Sequence, residues 1–125
     1  MSERRILASA ARTATPTISD QSDPNAEGVH IIINVTALTA TPQVTPKIQG
    51  KDPVSGSYYD ILVGSTITDV TVGTPPAIIV LKVGPGLTPV ANGAAADYLP
   101  DTWRVVMTHG DADSITYSIG AVLAE

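Results

Sequence analysis

Leu99-Pro100-Asp101-Thr102-Trp103-Arg104-Val105-Val106-Met107-Thr108-His109-Gly110-Asp111-Ala112-Asp113-Ser114-Ile115-Thr116-Tyr117-Ser118-Ile119-Gly120-Ala121 is the stretch whose reading decides the fold. Trp103, Val105 and Met107 alternate with Thr102, Arg104, Val106 and Thr108, and the alternation resumes with Ile115, Tyr117, Ile119 and Ala121 against Thr116 and Ser118. A period of two is the period of a strand half-buried in a sheet. Gly110-Asp111-Ala112-Asp113 between the two runs is turn composition, so the pattern predicts a β-hairpin. The chain has one Trp and no Phe, which makes Trp103 and Tyr117 the largest apolar bodies available to lie under a sheet.

The composition supports the same reading. At 125 residues the chain fits one domain, large enough to bury a core without metals or crosslinks. Hydrophobic residues make up 43% but aromatics only 4%, so the core is built from Val, Ile, Leu and Ala, and β-branched side chains favour strands. An all-β fold follows. Without cysteine the chain has no disulfide or thiolate metal site, and cysteine usage leaves the redox compartment open. Ile6-Leu7-Ala8 is too short an apolar run for a signal peptide, and no stretch approaches the roughly 18 apolar residues of a membrane span.

The net charge of −5 argues against nucleic acid as a partner, because phosphate binding needs clustered positive charge. The charge is unevenly placed. Arg4, Arg5 and Arg12 lie in the first twelve residues, and residues 13–125 carry four basic against eleven acidic side chains, a net of −7. A basic leading segment on an acidic body suits a contact between copies or with an acidic surface.

In chain order, residues 1–27 read as an extended N-terminal arm, broken by Pro16 and Pro24, that is either disordered or laid along a neighbouring surface, adding backbone hydrogen bonds to an exposed sheet edge. Residues 28–125 read as the folded domain. Gly28 opens a strand through Leu38 that is apolar on both faces and therefore central. Val44, Pro46 and Ile48 share a face of the next strand, which Pro46 demotes to an edge or bulged strand because it cannot donate to a ladder. Asp52-Pro53-Val54-Ser55-Gly56 turns the chain into Ser57–Val63. Thr66–Val72 and Ala77–Val83 read as two short elements, the second buried on both sides. Residues 87–98 form a long loop with a possible helical turn at Ala94–Tyr98. Seven or eight strands without an amphipathic helix predict a single β-sandwich, jelly-roll or immunoglobulin-like; the pattern leaves both topologies open.

No residue cluster carries catalytic chemistry, and the chain is read as not an enzyme. His109-Gly110-Asp111-Ala112-Asp113 lacks the further ligands of a calcium loop and reads as a turn. There is no Gly-x-Ser-x-Gly elbow, and Gly84-Pro85-Gly86 lacks the Lys and helix of a phosphate loop. No cofactor and no metal site are expected. Tyr58 and Tyr59 are adjacent, so along a strand one faces inward and the other outward as a candidate contact. Arg104 lies on the face opposite Trp103 and is expected to pair with Asp60, Asp97 or Asp101.

Four segments, Ile48–Tyr58, Leu81–Leu87, Leu99–Val105 and Ile115–Ala121, together resemble small proteins encoded among the structural genes of tailed bacteriophages. The resemblance covers residues 28–121 and leaves the arm outside it. It implies a virion structural protein, a capsid decoration or cement protein located on the capsid surface after assembly in the host cytoplasm. The implied partners are the major capsid protein and the chain itself, as homo-dimer or homo-trimer, with neither nucleic acid nor membrane. The partner-binding residues expected are Arg4, Arg5 and Arg12 on the arm, with Tyr58 and Tyr59, and residues 87–98 as a second surface. The alternative is a tail or head-fibre module that binds a host-surface carbohydrate by stacking it on Tyr58 or Tyr59.

Overall fold

A computed structural model describes residues 2–125. The described chain is nearly all β, folded as two facing sheets. In order it forms β1 (Ser2–Arg12), β2 (Gln21–Ser22), β3 (Gly28–Leu38), β4 (Val44–Lys51), β5 (Tyr58–Val63), α1 (Asp69–Val72), β6 (Ala77–Val83), β7 (Ala94–Ala95), β8 (Thr102–His109) and β9 (Ile115–Ala124). The five-stranded sheet runs β1-β9-β3-β6-β7 and the four-stranded sheet β2-β8-β4-β5. All pairs are antiparallel except the short β6–β7 pair. The single sandwich predicted from alternation is the fold observed.

The hairpin predicted for residues 102–121 is not formed. β8 pairs with β2 and β4, whereas β9 pairs with β1 and β3, so the two strands lie in opposite sheets and Gly110–Ser114 carries the chain across the core. The reason is the shared character of their inner faces. Trp103, Val105 and Met107 on β8 and Ile115, Tyr117, Ile119, Ala121 and Leu123 on β9 are all buried in one cluster. Opposed in two layers, these rows cover each other, whereas side by side in one sheet they would still need a second layer. Alternation states which side chains turn inward and leaves open which sheet they belong to.

β3 is central, between β9 and β6, and Ile31, Ile33 and Val35 on its inner face are buried. β4 is central too, between β8 and β5, which corrects the edge assignment. Pro46 is tolerated because its carbonyl and its missing N–H point to the β5 side, where β5 has just ended and Gly64 N–H donates to Pro46 O at 2.8 Å. The one irregularity between β4 and β5 lies away from Pro46: between the pairs Ile48–Leu62 and Gln49–Asp60 the extra residue is Ile61, on β5. The β4–β5 hairpin turns as predicted, with Gly56 at φ 76°, a left-handed conformation that favours glycine.

Three local readings are corrected. Thr66–Val72 is not extended beyond Ile67, which bridges Val44; Thr68 caps the single turn α1, its hydroxyl accepting from Thr71 N–H at 3.2 Å while Thr71 Oγ1 accepts from Thr68 N–H at 2.7 Å. Ala94–Ala95 is the two-residue β7 beside β6, not a helical turn. β6 is not buried on both sides: Leu81 and Val83 are buried, but Ile78 is 66% and Val80 37% exposed, because no layer covers the outer side of this sheet.

The N-terminal segment is extended and lies along its own domain. β1 is the outermost strand of the five-stranded sheet, paired with β9 through two register shifts, and β2 edges the other sheet. The segment thus passes from one sheet edge to the other, packing Ile6, Leu7 and Ile18 against the core. Trp103→Ala, which removes the largest buried side chain, is expected to lower the unfolding free energy by about 3–5 kcal/mol, and Trp103→Phe by clearly less. Urea denaturation checks this; equal losses would contradict the packing.

Candidate functional site

The two sheets treat their solvent faces differently, and that difference locates the candidate site. On the four-stranded sheet, Arg104 of β8 donates through Nε to Gln49 Oε1 at 2.8 Å, and Gln49 Nε2 donates to Asp60 Oδ1 at 2.7 Å. Lys47 completes the chain with an ion pair to Asp60 at 3.5 Å. Hydrogen bonding from Gln49, with Lys47 nearby, holds the Asp60 carboxyl below the ordinary carboxylate range. Arg104 therefore reaches Asp60 through Gln49 and not directly, and it is not paired with Asp97 or Asp101 as expected. Its guanidinium instead lies 3.4 Å from the centroid of the Tyr58 ring.

Tyr58 is built into the same lattice. Its hydroxyl donates to Asp20 at 2.8 Å, Lys51 Nζ reaches Asp20 at 3.2 Å, and the Asp20 carboxyl is held below its ordinary value chiefly by that tyrosine hydroxyl. With Arg104 on its ring and Asp20 on its hydroxyl, Tyr58 is not free to act as a platform. Tyr59 points to the other face, opposite Gly50, whose other neighbour is the buried Trp103. Alternation of the two tyrosines was legible, but burial is reversed: Tyr59 has inner-face parity and is 49% exposed, because it sits at the open end of the sandwich.

The structure separates the three arginines of the leading segment. Arg4 pairs with Asp23 at 3.2 Å and donates to Gln21, tying β1 to the β2 region. Arg12 donates to the carbonyls of Ala8, Ala10 and Tyr117 and lies 4.8 Å from the Tyr117 ring centroid. Both stitch the segment to its own domain. Arg5 is exposed and stands opposite Gly120 on the outer face of the five-stranded sheet.

That outer face carries an aliphatic cluster among polar side chains. The register sets Val80, Ile32, Gly120 and Arg5 in one row, Ile78, Asn34 and Ser118 in the row on one side, and Lys82, His30, Val122 and Glu3 in the row on the other. Ile78, Val80, Ile32 and Val122 form an aliphatic cluster, Gly120 leaves a groove beside it, and Asn34, Ser118, His30, Lys82, Glu3 and Arg5 flank it. Sequence reading missed these residues as a surface. Their signal was present in the two-sided apolar pattern of β3 and β6, but it was read as burial on both sides.

His109-Gly110-Asp111-Ala112-Asp113 is a turn, although between sheets: Asp113 accepts from Thr41 N–H at 3.1 Å and Asp111 from Asp113 N–H at 3.1 Å. Among the described residues no group of three His, Cys, Asp or Glu side chains is arranged to hold a metal ion, and no helix is long and apolar enough to cross a membrane. The chain matches no family model, no curated protein and no solved structure.

His109 sits at the foot of β8 with Nε2 2.9 Å from the Tyr117 hydroxyl. Burial lowers the His109 pKa below its ordinary value against the opposing pull of Asp111, and burial pushes the Tyr117 hydroxyl up to about 12. Because the folded state holds His109 neutral longer, the unfolded chain takes up the proton first as pH falls. This contribution to stability is complete above about pH 6.5 and is lost as pH falls below it. The urea midpoint is expected to drop between about pH 7 and about pH 5.5, and to drop less in His109→Gln. Identical pH slopes for the two proteins would contradict this account.

Proposed function

We propose that the protein is a structural component of a tailed-bacteriophage virion, a capsid decoration or cement protein held on the shell through the solvent face of its five-stranded sheet. The observation that carries the reading is the aliphatic cluster of Ile78, Val80, Ile32 and Val122 on that face. An antiparallel sheet with one wet face ordinarily makes that face polar, as the four-stranded sheet here does. An exposed aliphatic cluster flanked by polar side chains suits a protein-binding face. The resemblance read in the sequence segments of residues 28–121 points to the same class of protein.

The docked partner is the major capsid protein, with a second copy of this chain as the other contact. A shell repeats its sites, so contacts of modest strength accumulate through avidity when copies are linked. Of the three leading arginines, Arg5 is the one placed to meet the partner, beside the Gly120 groove. Arg4 acts instead by tying β1 to the β2 region and Arg12 by holding β1 on β9, which keeps one border of the docking face in place.

Ile78→Asp and Val80→Asp test the reading, because both side chains point to solvent and the substitutions leave the core untouched. Each is expected to reduce occupancy on purified capsids by at least roughly tenfold, the effect of about 1.4 kcal/mol, without lowering the unfolding midpoint. Co-sedimentation with capsids measures it; undiminished occupancy in both variants would reject this face as the docking surface.

A further inference from the structure

We infer that the end of the sandwich at the β4–β5 turn is a binding site for a neutral pyranose sugar, with Tyr59 as its platform. This inference does not depend on the docking face proposed above, which lies on the other sheet. It rests on how one aromatic ring is fixed and on what surrounds it.

Tyr59 lies across Gly50, its cross-strand partner. A Cβ at position 50 would stand 2.5 Å from Tyr59 Cζ, 2.6 Å from its hydroxyl oxygen and 2.8 Å from Pro100 Cγ, so the ring occupies the space that only glycine leaves. The ring is therefore pressed onto backbone on one side, yet the residue remains 49% exposed. A rigid aromatic plane with an open face can receive a ligand without first being ordered.

A cavity of about 820 Å³ opens beside it, lined among others by Asp52, Pro53, Tyr59, Pro100, Asp101 and Thr102. This lies within the roughly 300–1,000 Å³ of small-molecule sites. Its lining is part apolar, from Tyr59, Pro53 and Pro100, and part polar, from Asp52, Asp101, Thr102 and Lys51. Asp52 is held in position by Val54 N–H at 3.0 Å and the Ser55 hydroxyl at 2.6 Å, which leaves its carboxylate fixed at the rim. Lys51 also lines the cavity, and its ammonium is paired with Asp20 at 3.2 Å.

The chemistry of the occupant follows from this division. A pyranose has a C–H face that stacks on an aromatic ring and hydroxyl groups that donate to carboxylates. With Lys51 already paired to Asp20, the two carboxylates leave the lining negative, which favours a neutral sugar over one bearing sulfate, phosphate or carboxylate. A proline-rich peptide is disfavoured, because such peptides dock grooves with several aromatics and the walls here are already proline.

Titration of the isotope-labelled full chain with methyl β-D-glucopyranoside, methyl β-D-galactopyranoside and N-acetyl-D-glucosamine, followed by amide NMR, tests the proposal. At least one is expected to give saturable shifts confined to residues 51–59 and 101–103. Tyr59→Ala should abolish them and Tyr59→Trp should retain them. Gly50→Ala, which displaces the ring, should weaken binding at least roughly fivefold while the spectrum elsewhere stays dispersed. Absence of saturable shifts with all three sugars, equal binding by Tyr59→Ala, or saturation by a proline-rich peptide and by none of the sugars would overturn it.

Discussion

Burial of Trp103 and Tyr117 between two sheets is the constraint on which the other features depend. With no Phe and no Cys in the chain, the two largest rings and a set of aliphatic branches must exclude water unaided. β8 and β9 are placed in opposite sheets so that their inward rows can close on one core. Once those strands are fixed, β4 and β5 extend one sheet and β3 and β6 the other. Tyr117 is fully buried with its hydroxyl satisfied by His109, whereas Trp103 Nε1 has no hydrogen-bond partner, a cost the apolar burial of the indole outweighs.

Much of this arrangement was legible. The alternations at Val29–Val35, Trp103–Met107 and Ile115–Ala121 state which side chains turn inward, and the two-sheet architecture follows from a chain with many such runs. The turn at Asp52–Gly56 was legible because glycine and aspartate act locally. What remained hidden is non-local. Whether Gly110–Ser114 returns a strand alongside or sends it across the core depends on partners distant in sequence, and periodicity contains no term for them. The same applies to the leading segment: Ile6, Ala8 and Ala10 alternate over only a short run, and the strand extends over Ser2–Arg12 where β9 offers an edge to pair with and Arg12 reaches the Tyr117 carbonyl.

The candidate sites show the same limit. Charged residues drew attention in the sequence, yet Arg4, Arg12 and Arg104 are occupied within the domain by Asp23, backbone carbonyls and Gln49. Isoleucines and valines were assigned to the core because of their type, yet Ile78 and Val80 stand on the wet side of the sheet. The four-stranded sheet closes its solvent side with hydrogen-bonded charge from Lys47 to Asp20, and the five-stranded sheet leaves aliphatic carbon facing outward. An uneven molecule of this kind is suited to being held from one side.

An electron-microscopy reconstruction of phage capsids incubated with this chain tests the proposed docking most directly. The account predicts sandwich-shaped density on the outside of the shell, with the β1-β9-β3-β6 side against the capsid subunits and the Lys47–Asp60 side toward solvent. Density in the reverse orientation, or a shell without this domain, would contradict it.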